Sequence, residues 1–227
     1  MVYDSPLLDS LDASDRARLL ERAVARRLPR GNTLYFTGDR TRRAHLLVSG
    51  VVKLVARSGE GHVTILCLAC RGELIGEIAA IDGWPQPLDA IAATPCEVLG
   101  LDADALVETL RRNPDALLEL ARAMAQRTRW LCEAALERST ATVPARLAGR
   151  LLDLADLLGR VHDGAVVMDL PLAQDDLARL AGMCRESACK TLRTFKRDGL
   201  VDYKGRRLRI LRPDALERIR CGGRRSG

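Results

Sequence analysis

The stretch LAQDDLARLAGMCRESACKTLRTFKRDGLV, residues 172–201, decides the fold of this chain. Its first part, Gln174 to Ala181, reads as a short helix with Leu177 and Leu180 turned inward. Gly182 supplies the left-handed backbone of a sharp helix-to-helix corner, with Met183 buried at that corner. A second helix runs from Arg185 to Asp198, and Ala188, Leu192 and Phe195 recur at helical spacing on its inner side. The outer side carries Arg185, Glu186, Cys189, Lys190 and Arg193. Laid in the major groove of DNA, such a helix sets Arg or Lys against guanine acceptors and Glu against a cytosine amino group. Residues 200–212, LVDYKGRRLRILR, follow as two strands around a tight Lys204-Gly205-Arg206 turn, a basic hairpin next to the helix. The plain alternative is a solvated charged face. Corner glycine, phased apolar residues and basic hairpin together favour the DNA reader.

Composition agrees. A chain of 227 residues holds one large or two modest domains, and 47% hydrophobic with 29% charged residues is ordinary for a soluble protein. The net charge of +6 and pI near 9.1 permit a nucleic-acid partner without demanding one. No apolar run approaches the roughly 18 residues of a membrane span, so no membrane partner is expected. The start, MVYDSPLLDSLDASD, is acidic rather than leader-like, and seven cysteines without a framework point to a reducing cytoplasm.

Upstream, Asp12 with Asp15 opens a short helix whose stripe is Leu19, Leu20, Ala23 and Val24. From Gly31 to Leu101, glycines cut the chain at mostly ten-residue intervals around β-type runs such as TLYF, HLLV, VVKLVA and HVTILCL. That pattern predicts an antiparallel barrel or roll. Residues 103–137 read as helix interrupted at Pro114. Beyond the proline, Leu117, Ala121, Met124, Thr128, Leu131 and Ala135 alternate spacings of four and three, a coiled-coil-like seam suited to a two-fold dimer. Packing of that helix on its own domain is the other reading. ERSTATVP (residues 137–144) reads as a hinge, helix resumes through Leu158, and a short hairpin is expected in AVVMDLPL (residues 165–172).

The chain resembles the catabolite activator/fumarate-nitrate regulator family of bacterial transcription factors over almost its whole length. CRESACKTL (residues 184–192) resembles the family's recognition helix; HLLVSGVVKL, GELIGEIAAI and CEVLGLD resemble its effector-domain signatures, in order. The resemblance implies an α+β chain: a cyclic-nucleotide-binding-like antiparallel β-roll over 1–110, a dimerisation helix over 111–138, a hinge at 139–143, and a winged helix-turn-helix over 144–227. It puts Arg185, Glu186 and Lys190 on the base-reading positions, with Gln174, Ser187, Arg193, Lys204 and Arg206 toward the DNA backbone. The partners implied are a palindromic duplex, a second copy of the chain and RNA polymerase. Two positions depart from the family. Lys190 stands where Arg is usual, which weakens bidentate reading of guanine, and Cys184 replaces a Ser or Thr N-cap worth about 1 kcal/mol.

The effector pocket departs further. Gly76 and Glu77 remain, but Gln86 and Pro87 stand where cyclic-AMP-binding relatives have Arg-Ser, and Leu131 and Cys132 stand where they have Thr-Ser. A buried phosphate monoanion wants a charged fork and free N–H groups, which Gln and Pro do not supply. Cyclic AMP is therefore not expected as the switch, and the cofactor stays unknown: another effector, or none. Glu77 is expected to be a structural carboxylate capping a short helix. No cysteine precedes Cys67, which argues against the family's N-terminal iron–sulfur site; Cys67 and Cys70 read as core, and His45, His62 and His162 are isolated. Cys189 lies beside Lys190 near Arg185 and Arg193, cations that lower a thiol's pKa, so oxidation there would set negative charge against DNA. A small residue tolerated beside the groove is the alternative. No catalytic or metal-ligand constellation is evident, so an enzyme is not expected. The competing function is a small-molecule-binding signalling module whose basic C-terminal domain docks a protein.

Overall fold

The computed structural model describes residues 5–59, 61–169 and 172–223, which divide into two compact units at 130/131. In the first, α1 (Pro6–Asp9) and α2 (Ala13–Glu21) lead into β1 (Val24–Leu28), β2 (Thr33–Tyr35), β3 (Arg43–Ser49), β4 (Val52–Arg57), β5 (Val63–Ala69) and β6 (Leu74–Ile75). There follow α3 (Glu77–Asp82), β7 (Asp89–Ala92), β8 (Cys96–Asp102), α4 (Ala103–Arg112) and α5 (Pro114–Thr140). The strands form two antiparallel sheets, ordered β1-β8-β3-β6 and β2-β7-β4-β5, the expected roll. Between the sheets lies a core including Leu47, Val52, Leu54, Cys67, Ile75, Ala90 and Val98. A second core, including Leu8, Leu19, Leu46, Leu101, Leu106 and Leu120, joins the β3/β8 sheet to the helices. The alternation along β5 explains the strand, since Ile65, Cys67 and Ala69 face in while Thr64, Leu68 and their like stay half-buried.

Local chemistry sets the helix boundaries. Asp12 caps α2 by accepting the Asp15 N–H at 2.8 Å, as expected, but the helix ends before Ala23, and Val24 opens β1. The break before Pro114 is held by Asn113, whose Nδ2 donates to Asp15 Oδ2 at 2.6 Å. Beyond it, α5 buries Ala116 and Leu120, and Met124 packs half-buried against the helix-side core. Of the six seam residues, Leu117, Ala121, Thr128 and Ala135 are exposed, whereas Met124 and Leu131 are half-buried within the single chain. Trp130 packs on the inter-sheet core.

The second unit begins inside α5 and continues through α6 (Val143–Leu158), β9 (Arg160–His162), β10 (Ala165–Asp169), α7 (Gln174–Leu180) and α8 (Arg185–Arg197). It ends with β11 (Val201–Lys204), β12 (Arg207–Ile210) and α9 (Pro213–Gly222), and its antiparallel sheet is ordered β11-β12-β10-β9. Between α5 and α6, Thr142 caps α6 by accepting the Ala145 N–H at 3.4 Å, and Pro144 sits in its first turn. The hairpin expected within residues 165–172 lies earlier. Its turn is Asp163-Gly164, both at positive φ, and AVVMD is its second strand; Leu170 and Pro171 fall outside the described residues. Among the described residues no helix is long and apolar enough to cross a membrane.

Candidate nucleic-acid interface and effector pocket

The two short helices meet as the sequence predicts. Leu177, Leu180, Ala188, Leu192 and Phe195 are buried together under the corner, while Met183 is only half-buried. Gly182 adopts φ +63°, a conformation that calls for glycine, and a Cβ there would lie 3.0 Å from Nε of the Arg138 side chain. Arg185, Glu186, Lys190 and Arg193 are exposed on the opposite face of α8. Among the described residues, none of Arg185, Glu186 and Lys190 is tied by a hydrogen bond or ion pair to another side chain. Their polar ends are available to base edges, which is what direct readout needs. Gln174 is exposed at the start of α7, and its Oε1 accepts from Cys189 Sγ at 3.4 Å. Ser187 is half-buried, its carbonyl taken by Thr191 Oγ1 at 2.8 Å.

A thiol outside the candidate Cys189 also stands at α8: Cys184, which departs from the family's Ser or Thr cap. It is exposed at the N-cap of α8 with Sγ 3.1 Å from Ser187 Oγ. The Ser187 hydroxyl, then the Ser187 N–H, favour the thiolate and hold Cys184 below the usual thiol range.

The wing is more basic than the two cations first assigned to it. Lys204 and Arg206 flank the turn, and strand alternation turns Arg207 and Arg209 outward while Leu208 and Ile210 are buried. Period-two reading of RRLRI carried that signal. The wing is tied to α8 by Lys196, which pairs with Asp202 at 2.7 Å and sits 5.0 Å above the Tyr203 ring.

In the roll, Gly76 and Gln86 come together. Gln86 is 2% exposed; its Nε2 donates to Thr41 Oγ1 at 2.9 Å and reaches the Gly76 carbonyl at 3.4 Å. Its backbone N–H is committed to the Asp39 carbonyl at 2.9 Å. A Cβ on Gly76 would meet Gln86 Nε2 at 3.0 Å and Tyr35 at 3.2 Å, so the segment is closed tightly on itself. Glu77, also 2% exposed, opens α3 but is paired to Arg127 of α5 at 2.6 Å, and Arg127 also bonds the Leu74 carbonyl. Burial pushes the Glu77 carboxyl above its usual range against the pull of Arg127. Asp89 is buried with the Thr37 N–H at 2.8 Å and Arg57 Nε at 2.6 Å. Burial raises it, but the Thr37 N–H and Arg57 prevail and hold it below the usual carboxylate range. Burial, then Arg26 and Arg43, drops His45 to about 4, so this imidazole is neutral at pH 7.

A cyclic phosphate arriving beside Gln86 would meet a neutral amide bonded to Thr41 and Gly76 and a backbone N–H already committed to Asp39, while Arg127 and Arg57 are paired to Glu77 and Asp89. The residues present do not fit a phosphate monoanion. Leu131 and Cys132 belong to the second unit, Cys132 exposed and Leu131 half-buried. Cys67 is buried and Cys70 half-buried; burial pushes them up to about 11 and about 12. Among the described residues no group of three His, Cys, Asp or Glu could hold a metal ion.

Known proteins are similar to this chain in both units. The model of the cyclic nucleotide-binding domain matches residues 25–113, and that of the Crp-like helix-turn-helix domain matches residues 145–219. The chain is 31% identical over 195 residues to the transcriptional regulator LdrP of Thermus thermophilus, covering 85% of this chain and 95% of that one. It is 29% identical over 190 residues to a CRP-like cAMP-activated global transcriptional regulator of Mycobacterium tuberculosis, covering 84% and 85%. A crystal structure of a CRP-family transcriptional regulator, also from Thermus thermophilus, matches with a TM-score of 0.74 at 28% identity, over 86% of this chain and 96% of that one. The chain belongs to the catabolite activator/fumarate-nitrate regulator family. It is a DNA-binding transcription regulator of the cyclic-nucleotide-binding plus helix-turn-helix type.

Proposed function

We propose that the chain works in the cytoplasm as a homodimer that reads a palindromic operator, and that it does so without cyclic AMP. The observation that carries the reading is the face of α8, where Arg185, Glu186 and Lys190 stand exposed and uncommitted. Each half-site is read by these three, with Gln174, Ser187, Arg193, Lys204, Arg206, Arg207 and Arg209 holding the sugar-phosphate backbone. The two copies join along α5, where Leu117, Ala121, Thr128 and Ala135 leave an exposed strip of apolar and small side chains. Bound near a promoter, the dimer acts through RNA polymerase, by recruiting it or obstructing it.

Independence from cyclic AMP is supported by the closed Gln86 segment and the paired Glu77 and Asp89. The M. tuberculosis relative is named for activation by cyclic AMP; this chain lacks the chemistry to follow it. Selection from random duplexes, followed by anisotropy titrations with and without cyclic AMP and cyclic GMP, tests both parts. An inverted repeat with half-sites about one helical turn apart is expected, with the same affinity in either nucleotide. A single unrepeated half-site would break the dimer reading. Tightening by micromolar cyclic AMP would break the other.

A further inference from the structure

The last turn of α5 is gripped from two sides within the second unit. On one side lies the helix-turn-helix corner. Arg138 lies along Gly182, and Arg146 donates to the Gly182, Arg138 and Ala141 carbonyls, each at 3.4 Å. On the other side lies α9, which the reading of DNA does not use. Arg220 passes beside Gly149 and reaches Glu137 of α5 at 3.7 Å and Asp153 of α6 at 3.5 Å. Arg150, its side chain 3% exposed, pairs with the same Glu137 and with Asp153, the latter at 2.8 Å. Two guanidiniums and two carboxylates so balance one another across α5, α6 and α9. Past the end of α9, the Gly223 carbonyl accepts the N–H of Thr142, the hinge residue that caps α6, at 2.9 Å. The approach is close: a Cβ on Gly223 would lie 2.5 Å from the Ala145 Cβ and 2.8 Å from Thr142 Oγ1.

We infer that α9 latches the hinge. Arg220 and the Gly223 carbonyl fix Glu137 and Thr142, so that the reading helix is carried at one orientation on the last turn of α5. A turn between two helices has few bonds of its own, and a network that shares Glu137 between a buried and a half-buried guanidinium makes rotation there break several charged contacts together. Arg220 and Gly223 are positioning residues for DNA binding, an assignment that rests on the DNA-reading function proposed above.

The test uses the full-length protein and the selected palindrome. Arg220→Gln and Gly223→Ala are each expected to weaken binding about tenfold. The slope of affinity against salt should stay unchanged, because no phosphate contact is removed. In the same variants without DNA, the Thr142 amide should exchange hydrogen about tenfold faster than in the wild type. Arg220→Lys should recover part of both effects, and Arg218→Gln, which removes an exposed charge from the same helix, should produce neither. Unchanged Thr142 exchange in both Arg220→Gln and Gly223→Ala overturns the latch. So does a salt slope lowered by about one in Arg220→Gln, which makes Arg220 a phosphate contact instead. A wild-type protein that selects no duplex overturns the DNA reading, a result distinct from a wild type that binds and variants that bind equally well.

Discussion

The Gln86 segment of the roll and the reading face of the winged helix-turn-helix treat charge in opposite ways. In the roll, Glu77 and Asp89 are buried and each is answered by a guanidinium, Arg127 and Arg57. On α8 and the wing, Arg185, Glu186, Lys190, Arg206, Arg207 and Arg209 face outward. A buried charge must find its partner inside the molecule, because leaving it alone costs several kcal/mol. A charge left in water keeps its capacity for an external partner. The family architecture is kept at both ends, while exposed, uncommitted charge stands on the α8 face and the wing.

The comparison can be broken most forcefully at the strip on α5. Ala135→Asp places a like-charge pair in the proposed seam, and loss of the dimer should lower affinity for the palindrome by at least about a hundredfold, since one half-site then binds without the other. Sedimentation showing an intact dimer would move the interface. At the reading face, Arg185→Ala and Glu186→Ala should each cost about 1–3 kcal/mol in binding and relax preference at one base pair per half-site. Unaltered preference in a repeated selection would mean that α8 is not docked as proposed.

The inward side is tested by pH. His45 has a folded value of about 4 against 6.5 in the open chain, so the unfolded state binds the proton more readily. Stability should therefore fall as pH drops from 6.5 toward 4, by about 2 kcal/mol at pH 5, and level off below. Urea titrations of His45→Leu should lack that component of the slope. In the wing, Arg207→Ala and Arg209→Ala should weaken all duplexes alike and lower the salt slope by about 0.9 each. The smallest effect is at a thiol: near neutral pH iodoacetamide should label Cys184 faster in the wild type than in Ser187→Ala, as mapped by peptide mass. Equal labelling would mean that Ser187 does not favour the thiolate.

What was legible in the sequence is what period and punctuation encode. The corner at Gly182, the inward set Ala188, Leu192 and Phe195 and the break at Pro114 all follow from neighbours a few residues apart. Arg207 and Arg209, and the Asp163-Gly164 turn, obeyed equally local rules that the reading passed over. Other features are not local. Arg127 finds Glu77 across fifty residues, and Arg220 finds Glu137 across eighty-three. Charged residues on helices look solvated until a partner closes over them. Met124 shows the converse, since a heptad position cannot say whether its side chain faces a second copy or its own domain; here it packs half-buried against the chain's own core.

The chain has two tryptophans, and they sit in unlike surroundings. Trp84 is largely exposed, whereas Trp130 is half-buried against the inter-sheet core, three residues from Arg127 and one before the second unit begins. Emission from a Trp84→Phe protein would come from that single indole. It would shift with any molecule that entered the roll and disturbed its packing, so unlabelled protein carries its own optical gauge for screening effectors.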